Sequence, residues 1–487
     1  MIANLQPYPE YKESGLPWLG RVPQGWKVQR TKWLFRHRKE INSDRRHTNV
    51  LSLTLRGVVN NDPDAPEGLV PKDYGTYQFF GKGDLVFKLI DLENLRTSRV
   101  GLVHEDGIMS SAYVRLIPNS PASVRFFFLQ FYDLYSRGVY NQLGAGVRST
   151  LGPSDLLNLP ICLPPLDEQA AIVRFLDYAN GRLERAIRAK RKVIALLHEQ
   201  KQAIIHRAVT GQDQVVERKR PDGTSSFSLH PSALPKKPSG IPWLGDIPKH
   251  WQVRRLRFCI RGKLTYGANV AAEFDNHDWP RYLRITDFSA DGSLRSDTFR
   301  SLPPAVAKDY LVEEGDILFA RSGATVGKAF LIRTDTVKAC FAGYLIRARP
   351  ETRIVRPTFL FAFTQSTAFA RWKDAIFNQA TIQNIGADKY ANLSVPIPPL
   401  LEQQAILGSI ETQIAPMRVA SGRIEREISL LREYRTRLVA DVVTGKLDVR
   451  PAARQLPAQP VEDLPTTAPE DSAGEADLQP EATDAEE

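Results

Sequence analysis

The 487-residue sequence predicts an α+β chain in which two mixed α/β globules are separated by two long helices, arranged as an internal tandem repeat. Three observations carry this. Leu159–Gly211 recurs as Leu393–Gly445, always 234 positions on, and eight of the first fourteen residues are identical, Pro164/Pro398, Pro165/Pro399, Leu166/Leu400, Glu168/Glu402 and Gln169/Gln403 among them. A shorter block, Ser14–Trp26 (SGLPWLGRVPQGW), recurs as Ser239–Trp251 (SGIPWLGDIPKHW) with eight of thirteen residues matched. Between each short block and each long one lies an insert, 27–146 or 252–380, that is similar in length but mostly different in sequence.

Each long repeat reads as a helical rod. Proline at the start removes only an amide with no helical partner, and Asp167 and Glu168 suit the positive helix end. Glycine after threonine supplies a left-handed stop. Apolar residues fall on seven-residue rows: Ile172, Ala179, Ala186, Val193 and Leu176, Leu183, Leu197, Ile204 in the first copy, with Lys190 interrupting the second row, and Ile410, Met417, Ile424, Leu431, Leu438 in the second copy. A sustained heptad predicts a coiled-coil seam, and if the two rods pair as an antiparallel coiled coil a pseudo-twofold axis relates the globules. At about 1.5 Å per residue, such a rod is on the order of 65 Å long.

The short blocks, dense in Pro, Gly and Trp, predict rigid straps in which Trp18, Trp26, Trp243 and Trp251 are packing anchors. Within the inserts, 50–55, 84–90, 281–286 and 316–320 are β-branched or aromatic and bounded by turn residues, which predicts strands. The runs 125–138 and 358–372 read as a helix ahead of each rod. Gly83-Asp84-Leu85-Val86-Phe87 answers Gly315-Asp316-Ile317-Leu318-Phe319, and Ser111-Ala112-Tyr113 answers Ala342-Gly343-Tyr344. The organisation expected is a first globule with its strap (1–150), a first rod (151–212), a polar linker (213–238), a second globule with its strap (239–384), a second rod (385–450) and an acidic disordered tail (451–487).

Residues 451–487 hold ten acidic residues against Arg454 alone, so the net +10 of the chain becomes +19 for residues 1–450. An excess of that sign favours an anionic partner, nucleic acid first. No apolar run is long enough to span a membrane and no apolar leader opens the chain, which predicts a cytoplasmic protein with no membrane partner. Cys162, Cys259 and Cys340 are scattered outside any metal spacing and read as small buried residues in a reducing compartment.

Catalytic patterns are missing. In Ser322–Phe330 (SGATVGKAF) only three residues separate Gly323 from Gly327, and Ala329 follows the lysine where a phosphate loop needs a metal-binding hydroxyl. There is no dinucleotide fingerprint, Cys-x-x-Cys pair or His-Glu-x-x-His helix. The Pro-Pro pairs are followed by leucine rather than by the aromatic that stacks on a flipped base in an amino-methyltransferase.

The strap Ser-Gly-Leu/Ile-Pro-Trp-Leu-Gly, the Gly-Asp-Ile-Leu-Phe…Ser-Gly-Ala-Thr-Val-Gly-Lys island and the Pro-Pro-Leu…Glu-Gln rod ending in Thr-Gly together resemble the specificity subunit of type I restriction-modification systems, over about residues 10–450 and twice over. The resemblance implies that the inserts are target recognition domains reading a bipartite, asymmetric site in double-stranded DNA, and that the chain itself is not catalytic. It also implies docking of two modification (methyltransferase) subunits and two restriction (motor and nuclease) subunits. S-adenosylmethionine, ATP and Mg would then be bound by those partners, and this chain would hold no cofactor and no metal. The acidic tail lies outside the family pattern, and the first insert has Leu89-Ile90-Asp91 after Lys88 in place of the Ser-Gly-Ala-Thr-Val-Gly loop.

Base reading and phosphate contact call for Arg, Lys, Asn or Gln on loops. The candidates are Lys88, Arg96, Arg99 and Arg148 in the first domain, and Arg321, Ser322, Lys328, Gln379 and Gln383 in the second. Arg185, Arg188, Lys190, Arg191 and Lys192 on the first rod form a basic run that suits spacer phosphates, although such a run is more often a solvated helix face or a partner interface. Two other functions fit the residues: a protein scaffold that binds no DNA, and a nuclease or methyltransferase with an unfamiliar site.

Overall fold

The computed structural model describes residues 5–457 apart from 55–56, 63–70, 72, 90–91, 93–98, 121–123, 144–149, 220–224, 290–291, 323–325, 334–337 and 378–383. It divides into two compact units that do not follow the linear repeat. One unit holds the residues up to Lys190 together with those from Glu425 onward, and the other holds Arg191–Ile424. Both rods, Leu166–Val209 and Leu400–Val443, are 44-residue helices, and each begins in one unit and ends in the other.

In the first unit the opening half of the first rod packs with the closing half of the second. Arg435 bonds Glu184 at 3.2 Å and Lys190 bonds Glu427 at 2.5 Å, so one helix runs up as the other runs down. Ile172, Leu176 and Ala179 share a core with Leu438, Val439, Val442 and Val443. In the second unit Ile205, Ala208 and Val209 share a core with Ile406, Ile410 and Ile414. Of the heptad positions, Ile172, Leu176, Ala179, Leu183, Ile410 and Leu438 are buried, whereas Val193, the end of the first row, is exposed. Lys190, the interruption in the other row, is used in the ion pair with Glu427.

The straps lock these junctions. Trp26 is fully buried and its Nε1 donates to Glu168 at 2.9 Å, and Trp251 donates to Glu402 at 3.0 Å in the same way. Gly445 lies against Pro23 and Trp26, and Gly211 lies against Pro248 and Trp251. Each strap thus joins the start of the rod that follows its own insert to the end of the other rod. The packing expectation for the tryptophans holds, with Trp18 and Trp243 half-buried beside the same cores.

Each insert folds around a four-stranded antiparallel sheet. The first orders its strands Phe35–His37, Val114–Pro118, Leu85–Lys88, Arg99–Leu102, and the second Thr265–Tyr266, Leu345–Ala348, Ile317–Ala320, Ala329–Leu331. Buried Asp84 bonds Arg115 Nε at 2.6 Å and caps Gly81, while Asp316 bonds Arg349 Nε at 2.8 Å and caps Glu313. Burial pushes the Asp84 carboxyl above its usual range, with Arg115 and the Gly81 amide pulling against it. Helix Val124–Ser136 stands where its apolar run predicted it, whereas the run 358–372, read as one helix, is divided between Pro357–Thr364 and Thr367–Phe377.

Two expectations need correction. The stretch 213–238 contains an antiparallel hairpin, Asp213–Lys219 with Ser225–Pro231, rather than an open linker. Val215 faces Leu229 in register and both pack on the second core. The tail starts later than residue 451: Pro451 sits in the first turn of a short helix, Arg450–Arg454, while Ala453 and Leu456 are buried in the first core and Arg174 donates to the Leu456 carbonyl at 2.6 Å. The acidic remainder from residue 458 lies outside the described residues.

Candidate nucleic-acid interface

In the second domain the strand Ile317–Ala320 delivers Arg321 and Ser322 to one end of the sheet. Their backbone is fixed from both sides. The Arg321 amide donates to the Tyr344 carbonyl at 3.0 Å, the Arg321 carbonyl accepts from Ile385 at 2.9 Å, and Ser322 bridges to Asn384. The guanidinium lies 5.1 Å over the Tyr266 ring, whose hydroxyl accepts from the Ala387 amide at 3.0 Å. Arg321 Nε is buried with no partner among the described residues. Tyr266 and Tyr344 are 43% and 64% exposed, so two aromatic residues open at this end beside the half-buried arginine.

Lys328 is exposed on the returning side of the hairpin, after Gly327 at φ +80°. A Cβ on Gly327 would stand 2.2 Å from Lys373 Cδ, so glycine is what allows Lys373 to lie along the turn. Burial pulls the Lys373 ammonium below its usual range; Asp374 opposes the shift and Lys328 adds to it. Arg321, Lys328 and Lys373 accordingly give this end of the sheet a cationic character. Ser322 is half-buried next to Arg321, and Gln379 and Gln383 lie outside the described residues.

The first domain keeps the frame and changes what it presents. The Leu89 carbonyl accepts from Leu151 at 3.1 Å, as Arg321 accepts from Ile385, yet Leu89 is buried where Arg321 is half-buried. Lys88 is half-buried and in register with Arg99 across the sheet. The Arg99 side chain, Arg96 and Arg148 are outside what is described. Tyr113, at the place of Tyr344, is half-buried. On the first rod Arg185, Arg188, Arg191 and Lys192 are exposed, and Lys190 belongs to the interhelical pair.

Reasoning from sequence missed Tyr266, Tyr344 and Lys373 as contributors. The Ser-Ala-Tyr and Ala-Gly-Tyr islands were a usable signal for the second of these, because a tyrosine retained in two otherwise divergent inserts marks a shared position. Among the described residues no group of three or more His, Cys, Asp or Glu is placed to hold a metal ion, and no helix is long and apolar enough to cross a membrane.

Residues 56–191 and 281–423 match the model of the type I restriction modification DNA specificity domain. The chain is 25% identical over 210 residues to the type I restriction enzyme StySPI specificity subunit of Salmonella potsdam, covering 42% of this chain and 44% of that one. It is 26% identical over 212 residues to the EcoKI specificity subunit of Escherichia coli K12, with 42% and 44% covered. The match thus spans less than half the length of these curated relatives. A chain solved in work on complex assembly and conformational transition of the type I R-M system shares the fold, with a TM-score of 0.54 at 16% identity over 88% of this chain and 99% of that one. With the family model matched twice across more than half of its length, once on each sheet-bearing insert, this chain belongs to the type I restriction-modification DNA specificity family.

Proposed function

We propose that this chain is the non-catalytic, DNA-reading subunit of a type I restriction-modification complex. Its two inserts read the two unlike halves of a bipartite site in double-stranded DNA, and its rods and straps carry the modification and restriction subunits, two of each. Adenine methylation and ATP-driven cleavage then take place on those partners with their own S-adenosylmethionine, ATP and Mg, in the cytoplasm.

The observation that carries this reading is the pair of equivalent strand ends. One frame, in which the carbonyl at the strand end accepts from Ile385 in one unit and from Leu151 in the other, carries Arg321 over the open Tyr266 ring in the first case and a buried Leu89 in the second. A frame built to be alike that displays unlike side chains suits two readers of different sequence. The +19 body supplies the phosphate attraction such readers need.

The test is methylation mapping in cells that carry this chain with its modification subunit, before and after deletion of residues 252–380. N6-methyladenine at a two-part motif that is lost or altered by the deletion is the expected result. Methylation that ignores the deletion would defeat the reading.

A further inference from the structure

The first rod carries a cationic face that its repeat lacks. Arg174, Arg182, Arg185 and Arg188 follow one another at spacings of eight, three and three, which sets them on one side of the helix. They cover about 21 Å of its axis at roughly 1.5 Å per residue. All four are exposed, and Arg182 lies 5.9 Å over the ring of Tyr178 on the same side. The acids of this stretch are committed elsewhere, Asp177 to Arg125 at 3.0 Å and Glu184 to Arg435 at 3.2 Å. Among the described residues no carboxylate pairs with any of the four arginines.

Position by position, 234 residues on, the second rod answers them with Gly408, Pro416, Val419 and Gly422. The face is therefore not part of the shared frame. Like charges one turn apart work against a helix, so arginines placed here without acids carry a cost that an anionic neighbour removes. A ligand that engages the chain through its repeat would call for the same cations on both rods. What calls for them once is an anion present once, beside the first rod.

The path of the chain supplies that anion. Leu456 is buried in the first core, and Arg174 Nη2 donates to the Leu456 carbonyl at 2.6 Å and lies 3.4 Å from the Pro457 carbonyl, so the last described residues run onto this face. Residues 458–487 follow, with ten carboxylates and no lysine or arginine. At roughly 3.3–3.6 Å per residue, Glu462 and Asp463 can stand up to about 17 and 20 Å beyond Pro457. Arg182 and Arg185 are about 12 and 16 Å along the axis from Arg174, within that reach. A tethered segment acts at an effective concentration of order mM, so ion pairs too weak to hold a free peptide can hold this one.

We infer that residues 458–487 seat on the Arg174–Arg188 face of the first rod and stand in for a polyanion there, so that a nucleic-acid backbone must displace them to use it. Phosphates and tail carboxylates compete for the same guanidinium groups, and the tail screens the face from loosely held, non-specific duplex. The seating rests on charge and tether alone; the screening rests in addition on the functional reading above.

Contact is tested in the full chain by zero-length carbodiimide coupling, with Arg182→Lys, Arg185→Lys and Arg188→Lys made together to supply amines. Mass-spectrometric mapping should join those positions to tail carboxylates in low salt, and the coupling should vanish near 1 M salt, where the screening length is about 3 Å. Tail carboxylates coupled only to other lysines, or to none, would overturn the inference. Screening is read from the affinity for a non-specific duplex. Ending the chain at Pro457, or exchanging the ten tail acids for their amides, should tighten that binding about 5-fold in low salt. Arg182→Gln, Arg185→Gln and Arg188→Gln made together should abolish the gain, with an unchanged melting temperature showing that the fold is intact. A gain that persists at full size in the glutamine background would place the tail on another surface and overturn the inference. No gain on truncation would overturn the screening. Coupling at the three positions in a chain of which no form binds duplex would leave the seating standing and defeat the DNA-reading function instead.

Discussion

Glu168 and Glu402 occupy one repeat position and are held by different partners. Glu168 is buried and accepts from the Trp26 indole and the Tyr8 hydroxyl, with Arg450 Nη1 at 3.9 Å from its second oxygen. Burial, with the Glu168 hydrogen bond and charge, raises the Tyr8 phenol far above its usual range, so Tyr8 remains a donor at any working pH. Glu402 is only half-buried, and beside Trp251 it has His250 Nε2 at 2.8 Å in place of a tyrosine. Removing a buried acceptor costs the desolvation of every donor it leaves unpaired. Glu168→Ala should accordingly destabilise by roughly 3 kcal/mol and Glu402→Ala by roughly 1 kcal/mol, since water reaches the second site. Urea unfolding of the two variants measures this, and equal losses would show that the partners do not matter. The thiols give a second residue-level test. Burial raises Cys162 and Cys340 to about 12 and Cys259 to about 11, which is above working pH, so the reactive thiolate is scarce at pH 8. Iodoacetamide at pH 8 should leave the folded chain unlabelled and label three cysteines in urea; rapid labelling of the native protein would refute their burial.

At the scale of the element, the rod ends show what a sequence can and cannot declare. Gly211 and Gly445 were legible as helix stops, and both adopt positive φ, +72° and +78°. Their second constraint was not legible, because the contact is with a strap distant in sequence. A Cβ would stand 2.1 Å from Pro248 Cδ at Gly211 and 2.4 Å from Pro23 Cδ at Gly445. Gly211→Ala and Gly445→Ala should each cost more than about 2 kcal/mol, the left-handed penalty plus the clash, whereas Gly262→Ala, at φ +72° with nothing within 4 Å, should cost only about 1 kcal/mol. Similar melting temperatures for all three would remove the strap contact from the account. The strands and pre-rod helices were readable from local alternation and apolar runs because these signals are local. The hairpin at 213–231 was not read, because polar strands paired only with each other and anchored by Val215 and Leu229 carry little apolar pattern. At the end of the second sheet, Arg321 was named from its loop, but its contact with Tyr266 joins residues 55 positions apart and depends on the fold.

On the scale of the whole molecule, the repeat in the sequence and the units in space are out of step, and this governs what half a chain can do. The first unit completes its core with Leu438, Val439, Val442, Val443, Val449, Ala453 and Leu456, all from the far end of the chain. At about 1.5–3 kcal/mol for each large apolar side chain buried, these residues contribute on the order of 10 kcal/mol, as much as a typical domain's entire stability. Residues 1–212 alone should therefore fail as a monomer. They do contain a substitute, however, because the end of the first rod, Ile205–Gly211, is the repeat equivalent of Val439–Gly445 and its own strap partner, Pro248–Trp251, is absent from the fragment. Two fragments can exchange rod ends, each covering the other's strap, which is the route by which exchanged elements make symmetric dimers. The fragment is expected to elute as a dimer whose population falls on dilution together with its helicity. Fusing residues 425–457 to it through a flexible linker should restore a monomer, since the native segment is then supplied within the chain. A fragment that is stably folded and monomeric without the fusion would mean that the far-end residues are not needed to close the first core.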